Sequence, residues 1–562
     1  SALLQGMMRG GGPQPIGKKA FTIDKPGVLD RYGLHSAPGF SDGVTGFIAA
    51  SAGDNGDDAC VDVWDVGPDT VTSDEEDGVV RPKRGHGRVG RGAPVMLEQG
   101  ISTRPFADGA GLCSPGRWAP EARVVDPISK KLYAALRDLV FRLGDPAAYM
   151  CEWAAGRLEA SPFSAELLQE GRVRVAGIVG GEGNADIMTV ASGQPFYLNL
   201  ASEVARVLGD PDWRVLVQGS SNYTDGVAVG YRERLPRTPA VFERKRRWRR
   251  YDEDDYVLEL RSNYRSARES IESLRKVYNN EILEGRVVKM PMTEAKQIYG
   301  DRLRIAPQGA VGKKDGDKRP IHDGTHGPAV NPNIRIRDQL RYPRGAELRH
   351  AAADMERRGG ATFGLTADVS KAHRRFKHRA RDHGLLCCVL DDEPTMALIN
   401  TVGTFGLGSA SYWWGREFAI LARTSIATLL NHPVWQLLFA DDANWMAKGA
   451  EGMRAIAVAV FMLVLLGTPF SWKKMTGGFN YVWVGIELDL VNHSIGISAA
   501  RAQWLIKWIQ GAKSTGAVLV RDLVAVLGRL GFAAGPLERL RPFLSCIYSW
   551  VSVVPSGACL QP

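Results

Sequence analysis

The sequence predicts an α+β fold behind a long, unstructured front segment, and three observations carry that reading. Apolar residues recur at helical spacing after residue 126, first at Leu132, Leu136, Leu139, Val140 and Leu143. Two apolar runs, 364–369 and 434–446, read as strands that carry aspartates at their ends or turns. Of the 63 glycines, 22 fall in the first 125 residues, where no periodicity is sustained. A segment of that composition cannot bury enough surface to offset its ordering entropy. Residues 1–125 are therefore expected to be a disordered Gly/Asp/Arg-rich region.

The composition narrows the classes further. The chain has 562 residues, 44% apolar and 24% charged, which excludes a wholly disordered or fibrous protein. That length corresponds to roughly three or four domains of about 150 residues. The formal charge of +9 permits nucleic-acid binding without demonstrating it. Seven cysteines form no C-x-x-C pair, and Cys387-Cys388 sit in an apolar run, so reduced, buried thiols of an intracellular protein are expected; nuclear and cytoplasmic placement are not separated. The longest apolar stretch, 455–466, is too short to span a bilayer and reads as a core helix, so no membrane partner is expected. The sequence opens on Ser1 rather than Met and shows no signal peptide, as a fragment or processed piece of a longer chain would.

The elements follow in order. After the helix near 132–143 comes a second amphipathic helix at 197–208, and WRVLVQ at 213–218 reads as a strand. Gly180-Gly181-x-Gly183 is only a loop signal, because no strand–turn–helix context surrounds it. Residues 126–260 thus form an accessory domain without recognisable chemistry. At 244–250, RKRRWRR sets six cations around Trp248, which suits phosphate contact with base stacking. A nuclear-import signal or a solvated linker explains it equally well, and Asp252–Asp255 damp its field. A helical segment at 266–283 leads into the second half.

Three segments there carry chemistry. In FGLTADVSKAHRRF, from Phe363, a buried strand ends at Asp368 and 370–377 is expected to turn helical. An acid at a strand end facing a cleft suits a metal-binding carboxylate. In VWQLLFADDANWM, 434–446, strand, Asp441-Asp442 and strand read as a tight hairpin. Adjacent carboxylates at such a tip repel one another and are sensible where cations neutralise them; a plain Asp turn is the bland alternative. In GKKDGDKRPIHDGT, 312–325, Lys313, Lys314, Lys318 and Arg319 surround an Asp315-Gly316 turn, suited to a polyphosphate but equally to a solvated hairpin. Together the acids could hold two Mg²⁺ ions and the hairpin a triphosphate, the parts that two-metal catalysis needs.

In this ordered set the chain resembles reverse transcriptases. Asp368 in ADVSKAH resembles motif A, TFGLGSASYW (404–413) motif B, and Phe439-Ala440-Asp441-Asp442 the motif C box. The basic hairpin resembles the fingers motif, TPFSWKK (468–474) motif D, and YVWVGIE (481–487) the primer-grip motif E. The likeness covers about residues 280–550, with wording closest to retrotransposon-type enzymes. It implies a right-hand polymerase: fingers at 261–345, a palm with an antiparallel sheet at 346–490 and a helical thumb at 491–562. It implies an RNA template, a DNA primer and dNTPs as partners, with Mg²⁺, or Mn²⁺ in its place, on Asp368, Asp441 and Asp442. Val369 would assist through its carbonyl. Lys313 or Lys314, with Arg319, would bind the triphosphate, and Gly406 would pack on the template base and incoming sugar. Lys474, or Lys473, would stand near the leaving pyrophosphate, and Val484 and Gly485 would lie along the primer.

Departures from the family pattern matter equally. His373 stands where Phe or Tyr usually screens the ribose 2′-hydroxyl, and its bulk implies deoxynucleotide preference. Thr404 and Ser411 replace the usual prolines of motif B. No RNase H acid quartet follows the thumb, and no protease or integrase module is expected. Two alternatives stand beside the RNA-directed DNA polymerase. One is an RNA-dependent RNA polymerase, which usually has Gly where this chain has Ala440. The other is a non-catalytic nucleic-acid-binding protein that retains the fold.

Overall fold

The computed structural model describes residues 126–560, apart from short stretches at 182–184, 240–242, 245–250, 314–315, 341, 344, 431, 537–540 and 555–558. The front segment 1–125, Lys314 and nearly all of the basic run at 244–250 lie outside the described residues.

Side-chain caps start the first helices. Ser129 N–H donates to Asp126 Oδ1 and Asp126 N–H to Ser129 Oγ, so α1 (Pro127–Phe141) opens on a reciprocal box with Pro in its first turn. Asp145 and Ser164 cap α2 (Pro146–Ala154) and α3 (Ala165–Ile178) by accepting backbone N–H bonds. The helix α4 (Leu198–Val207) follows where the periodicity places it. The strand expected at 213–218 does not form: Trp213–Leu216 is a single 3₁₀ turn. Its Val215 and Leu216 carbonyls accept bonds from Tyr223 and Thr224 in the next loop, so the run closes on itself instead of joining a ladder.

The chain then passes β1 (Glu243–Arg244), α5 (Arg265–Arg268), α6 (Ile271–Leu283), β2 (Val287–Pro291) and α7 (Met292–Tyr299). A hairpin of β3 (Gln308–Gly312) and β4 (Lys318–His322) follows, then β5 (Asp338–Gln339), which pairs with β1, and α8 (Gly345–Arg357).

The central sheet is built from β6 (Thr362–Asp368), β9 (Trp435–Phe439), β10 (Asp442–Lys448) and β11 (Thr476–Gly478), all antiparallel, in the order β11-β6-β10-β9. Two further strands, β7 (Cys387–Cys388) and β8 (Met396–Asn400), join β2 in a separate sheet. The helices α9 (Ala410–Ala427) and α10 (Gly449–Leu465) flank the central sheet. Apart from its first turn α10 is buried all round, as an apolar helix without a polar stripe must be. The same hydrophobic core takes in α1, α2, α3, α4, α9, α10, β6 and β10, so residues 126–235 share one interior with the sheet.

The helix expected at 370–377 shrinks to one 3₁₀ turn, Ala372–Arg374. Lys371 enters the left-handed region at φ 57°, so a right-handed helical ladder cannot start there. Cys387 and Cys388 are buried as expected, whereas Cys151 and Cys546 are exposed, because each sits on the outer face of its helix.

The C-terminal part has a meander of β12 (Asn480–Trp483), β13 (Ile486–Asp489) and β14 (Ser494–Ile497). The helices α11 (Ala499–Thr515), α12 (Val520–Ala533) and α13 (Arg541–Val553) follow, with β15 (Val518–Leu519) paired to β16 (Cys559–Leu560). No helix among the described residues is long and apolar enough to cross a membrane.

Candidate active site

The site begins with strand register. Across β6 and β10, Asp368 is paired directly with Asp442, and Phe439–Asp442 closes the β9–β10 ladder. Ala440 and Asp441 are left as a two-residue turn, with Ala440 at φ 51°. Val369 N–H donates to the Asp441 carbonyl at 2.9 Å, and Ser471 N–H to the Asp368 carbonyl at 2.7 Å. Asp368 and the adjacent Asp441 and Asp442, far from it in sequence, therefore meet at one end of the sheet.

Their electrostatics follow from that crowding. Burial, then the neighbouring Asp368, raises the Asp441 carboxyl above its ordinary range. Burial, then Asp441 and Asp368, raises Asp442. Cations answer the acids. Lys474 Nζ lies 3.1 Å from Asp368 Oδ2, and the fields of Lys474 and Arg319 both act on Asp441. Lys473 turns away to Glu159, so of the two lysines it is Lys474 that faces the acids.

Carboxylate oxygens of this kind suit Mg²⁺ or Mn²⁺ in chemistry. Among the described residues no group of three or more His, Cys, Asp or Glu is placed to hold a metal ion. An ion at this end of the sheet would be held by fewer protein carboxylates and would take its remaining oxygens from water or a phosphate.

A second group faces this one. The Arg319 guanidinium lies over the Phe405 ring, 4.8 Å from its centroid, and Phe405 stands 5.3 Å from the His373 ring. Burial, then Arg319, pushes the His373 imidazole down to about 4, so it is neutral at pH 7. Gly406 takes φ 103°, and a Cβ there would come within 2.2 Å of the His322 carbonyl; only glycine fits. Its carbonyl accepts from Asn331 Nδ2 at 2.8 Å, while Asn331 Oδ1 accepts from Gly408 N–H at 2.7 Å. Lys313 is exposed at the β3–β4 tip. Val484 and Gly485 form the β12–β13 turn, where Gly485 packs against the Arg501 guanidinium. That turn is on a different hairpin from the acids; Tyr481 links the two by accepting a bond from Asn444 Nδ2 of β10 at 2.9 Å.

Known proteins offer one likeness. No family model and no curated protein matches the chain. Among solved structures, a foamy viral protease–reverse transcriptase bound to double-stranded DNA aligns with TM-score 0.40 and 14% identity, over 57% of this chain and 50% of that one. A second complex with double-stranded DNA aligns at TM-score 0.39 and 15%, over 57% and 60%. One with an RNA/DNA hybrid aligns at 0.39 and 15%, over 54% and 37%. The chain therefore spans between about a third and three fifths of these viral proteins. Likeness at this level establishes nothing by itself; the weight rests on this chain's own geometry.

Several residues that organise the site escape sequence reading. Phe405 is one, although TFGLG brackets it. Trp414 is another: its indole N–H donates to the Ala440 carbonyl at 3.1 Å, directly beside the acids. Glu281 of α6 is a third. It accepts from Arg374 Nε and Nη2 at 3.0 and 2.8 Å and from Lys371 Nζ at 2.8 Å, fixing the turn that carries His373. Burial opposes its charge, but Arg374 and Lys371 outweigh burial and hold the Glu281 carboxyl down to about 2.

Proposed function

We propose that this chain is an RNA-directed DNA polymerase of retrotransposon type, extending a DNA primer on an RNA template with dNTPs. The single observation that supports it most is the register of Asp368 opposite Asp442 with Asp441 at the adjoining turn, answered by Lys474 and Arg319. In this reading residues 261–345 are fingers, 346–490 the palm and 491–562 the thumb.

Asp368, Asp441 and Asp442, with the Val369 carbonyl, would hold two Mg²⁺ ions, or Mn²⁺. When bound, such ions lower the pKa of a primer hydroxyl and stabilise departing pyrophosphate. The chain's own groups do the rest. Arg319, with Lys313 or Lys314, pairs with the triphosphate by charge-assisted hydrogen bonds. Phe405 keeps the Arg319 guanidinium flat and oriented. His373, neutral and held by the Glu281–Arg374 pair, lends bulk against a ribose 2′-hydroxyl. Gly406 lets its loop lie close beneath a base. Lys474 keeps a proton beside the departing phosphates as a general acid. Val484-Gly485 presents backbone to the primer.

The test is extension of a labelled primer with Mg²⁺ on RNA and on DNA templates, with dNTPs and then rNTPs. Extension on RNA with dNTPs is the expected result. Preferential use of rNTPs would transfer the reading to an RNA-dependent RNA polymerase. Binding without any extension would make the chain a non-catalytic nucleic-acid-binding protein.

A further inference from the structure

We infer that residues 210–239 act as a brace that sets the position of the Asp441–Asp442 tip through α9. Three kinds of contact tie that segment to the helix. Arg416 gives two donors to Asp212, Nε to Oδ2 and Nη2 to Oδ1, both at 2.7 Å, with both side chains 4% exposed. Two turns along the same face, Arg423 gives two donors to Asp210, at 2.8 and 3.0 Å. Hydroxyl and indole bonds add to the ion pairs: Tyr223 Oη donates to the Trp413 carbonyl at 2.6 Å, Trp413 Nε1 to the Ala228 carbonyl at 2.7 Å, and Ser409 Oγ to the Val229 carbonyl at 2.8 Å.

The helix passes this position on. Trp413 and Trp414 are neighbours on α9, and their side chains leave it in different directions. Trp413 goes to the brace, and Trp414 to the Ala440 carbonyl. Ala440 sits at φ 51°, a conformation that an L side chain keeps only where its surroundings hold it. The indole bond is one such hold, and it is as well placed as the helix that carries it. The start of α9 also follows directly on the Gly406–Gly408 loop, which Asn331 holds. A shift of α9 therefore moves the acid tip and that loop together. Paired acids that must meet a ligand within a fraction of an ångström need such a support. Tyr223 and Asp212 are positioning residues in this scheme, acting through Trp413, Arg416 and Trp414.

The catalytic meaning of the brace rests on the polymerase reading, but the mechanical coupling does not. Amide hydrogen exchange of the full chain, followed across 435–448, measures the coupling without any activity. Tyr223→Phe and Ser409→Ala each delete one hydroxyl and keep the packing. Both should speed exchange at residues 439–442 roughly fivefold, about the worth of one hydrogen bond. Trp414→Phe, which cuts the last link, should give the same local signature. Tyr548→Phe, which deletes a hydroxyl bonded to the Leu527 carbonyl among the C-terminal helices, should leave the tip unchanged. In primer extension the brace variants should lower kcat more than they raise KM. Unchanged exchange at the tip in the brace variants, or an equal rise in Tyr548→Phe, overturns the brace. A wild type that fails to extend primers removes the polymerase reading alone, and the exchange pattern still decides the brace.

Discussion

Asp368 and Asp442 are direct cross-strand partners at the end of the β6–β10 ladder, two acids in a position where neighbouring strands normally place compatible side chains. Asp441, at the adjoining turn, adds a third. The fold bears this repulsion with burial on top of it, and both effects raise the Asp441 and Asp442 carboxyls. A protein that needed only a hairpin there would gain by losing an acid.

Asp442→Asn should therefore stabilise the fold. Burial and the two neighbouring acids raise the Asp442 carboxyl to about 8, so the fold keeps it largely protonated at pH 7, a cost that the amide escapes and that is worth on the order of 1 kcal/mol. Thermal unfolding at pH 7 and low salt should show a rise of about one degree, what that energy gives a fold of this size. A fall in the midpoint would mean that the acid serves the fold and not a ligand.

Ala440 occupies the left-handed region, which costs a residue with a Cβ about 1 kcal/mol. Ala440→Gly should recover up to about 0.5 kcal/mol of stability in chemical denaturation, after the added entropy of a glycine in the unfolded chain is subtracted. A loss of stability would show that the methyl packs in a way that outweighs the strain.

Acid should destabilise the protein through two buried histidines. Burial pushes His322 and His378 each down to about 4, from an ordinary value of 6.5. Both are neutral in the fold, so the unfolded chain binds more protons between those two values. Their contribution is complete above about pH 6.5 and is lost as pH falls towards 4, at up to roughly 3 kcal/mol each. Denaturant midpoints measured from pH 7.5 to 4.5 should decline over that window. His378→Gln should flatten the decline, and an equally steep one would assign it to other groups.

His373 lies against Phe405, which in turn carries Arg319. His373→Ala opens space on that wall and should raise incorporation of ribonucleotides relative to deoxynucleotides about tenfold, the effect of removing one steric contact of this size. An unchanged ratio would locate sugar selection elsewhere.

How much of this was legible depended on whether an element's signal was local. The runs at 364–369 and 434–446 read as strands because buried β-formers stop at acids or a two-residue turn, and the ladder bears that out. The segment 213–218 misleads because strand propensity without a partner strand decides nothing, and its carbonyls are satisfied by a nearby loop instead. The segment 370–377 misleads because Lys371 takes the left-handed region at φ 57°, which a right-handed helix does not accommodate. The acids could be found because each carries its own strand context. Asp212 and Arg416 could not, since 204 residues separate them and neither lies in a pattern that asks for the other. Trp414 likewise reads as one more core aromatic until its indole is seen at the Ala440 carbonyl.

In the proposed function Asp368, Asp441 and Asp442 hold divalent cations for nucleotidyl transfer. Primer extension by wild type and Asp441→Asn, run beside a thermal melt of each, tests it most directly. Asp441→Asn should lose roughly a thousandfold or more in extension, corresponding to about 4 kcal/mol of transition-state stabilisation, with a melting midpoint equal to or above that of wild type. Extension within a few-fold of wild type in a folded Asp441→Asn protein would contradict it.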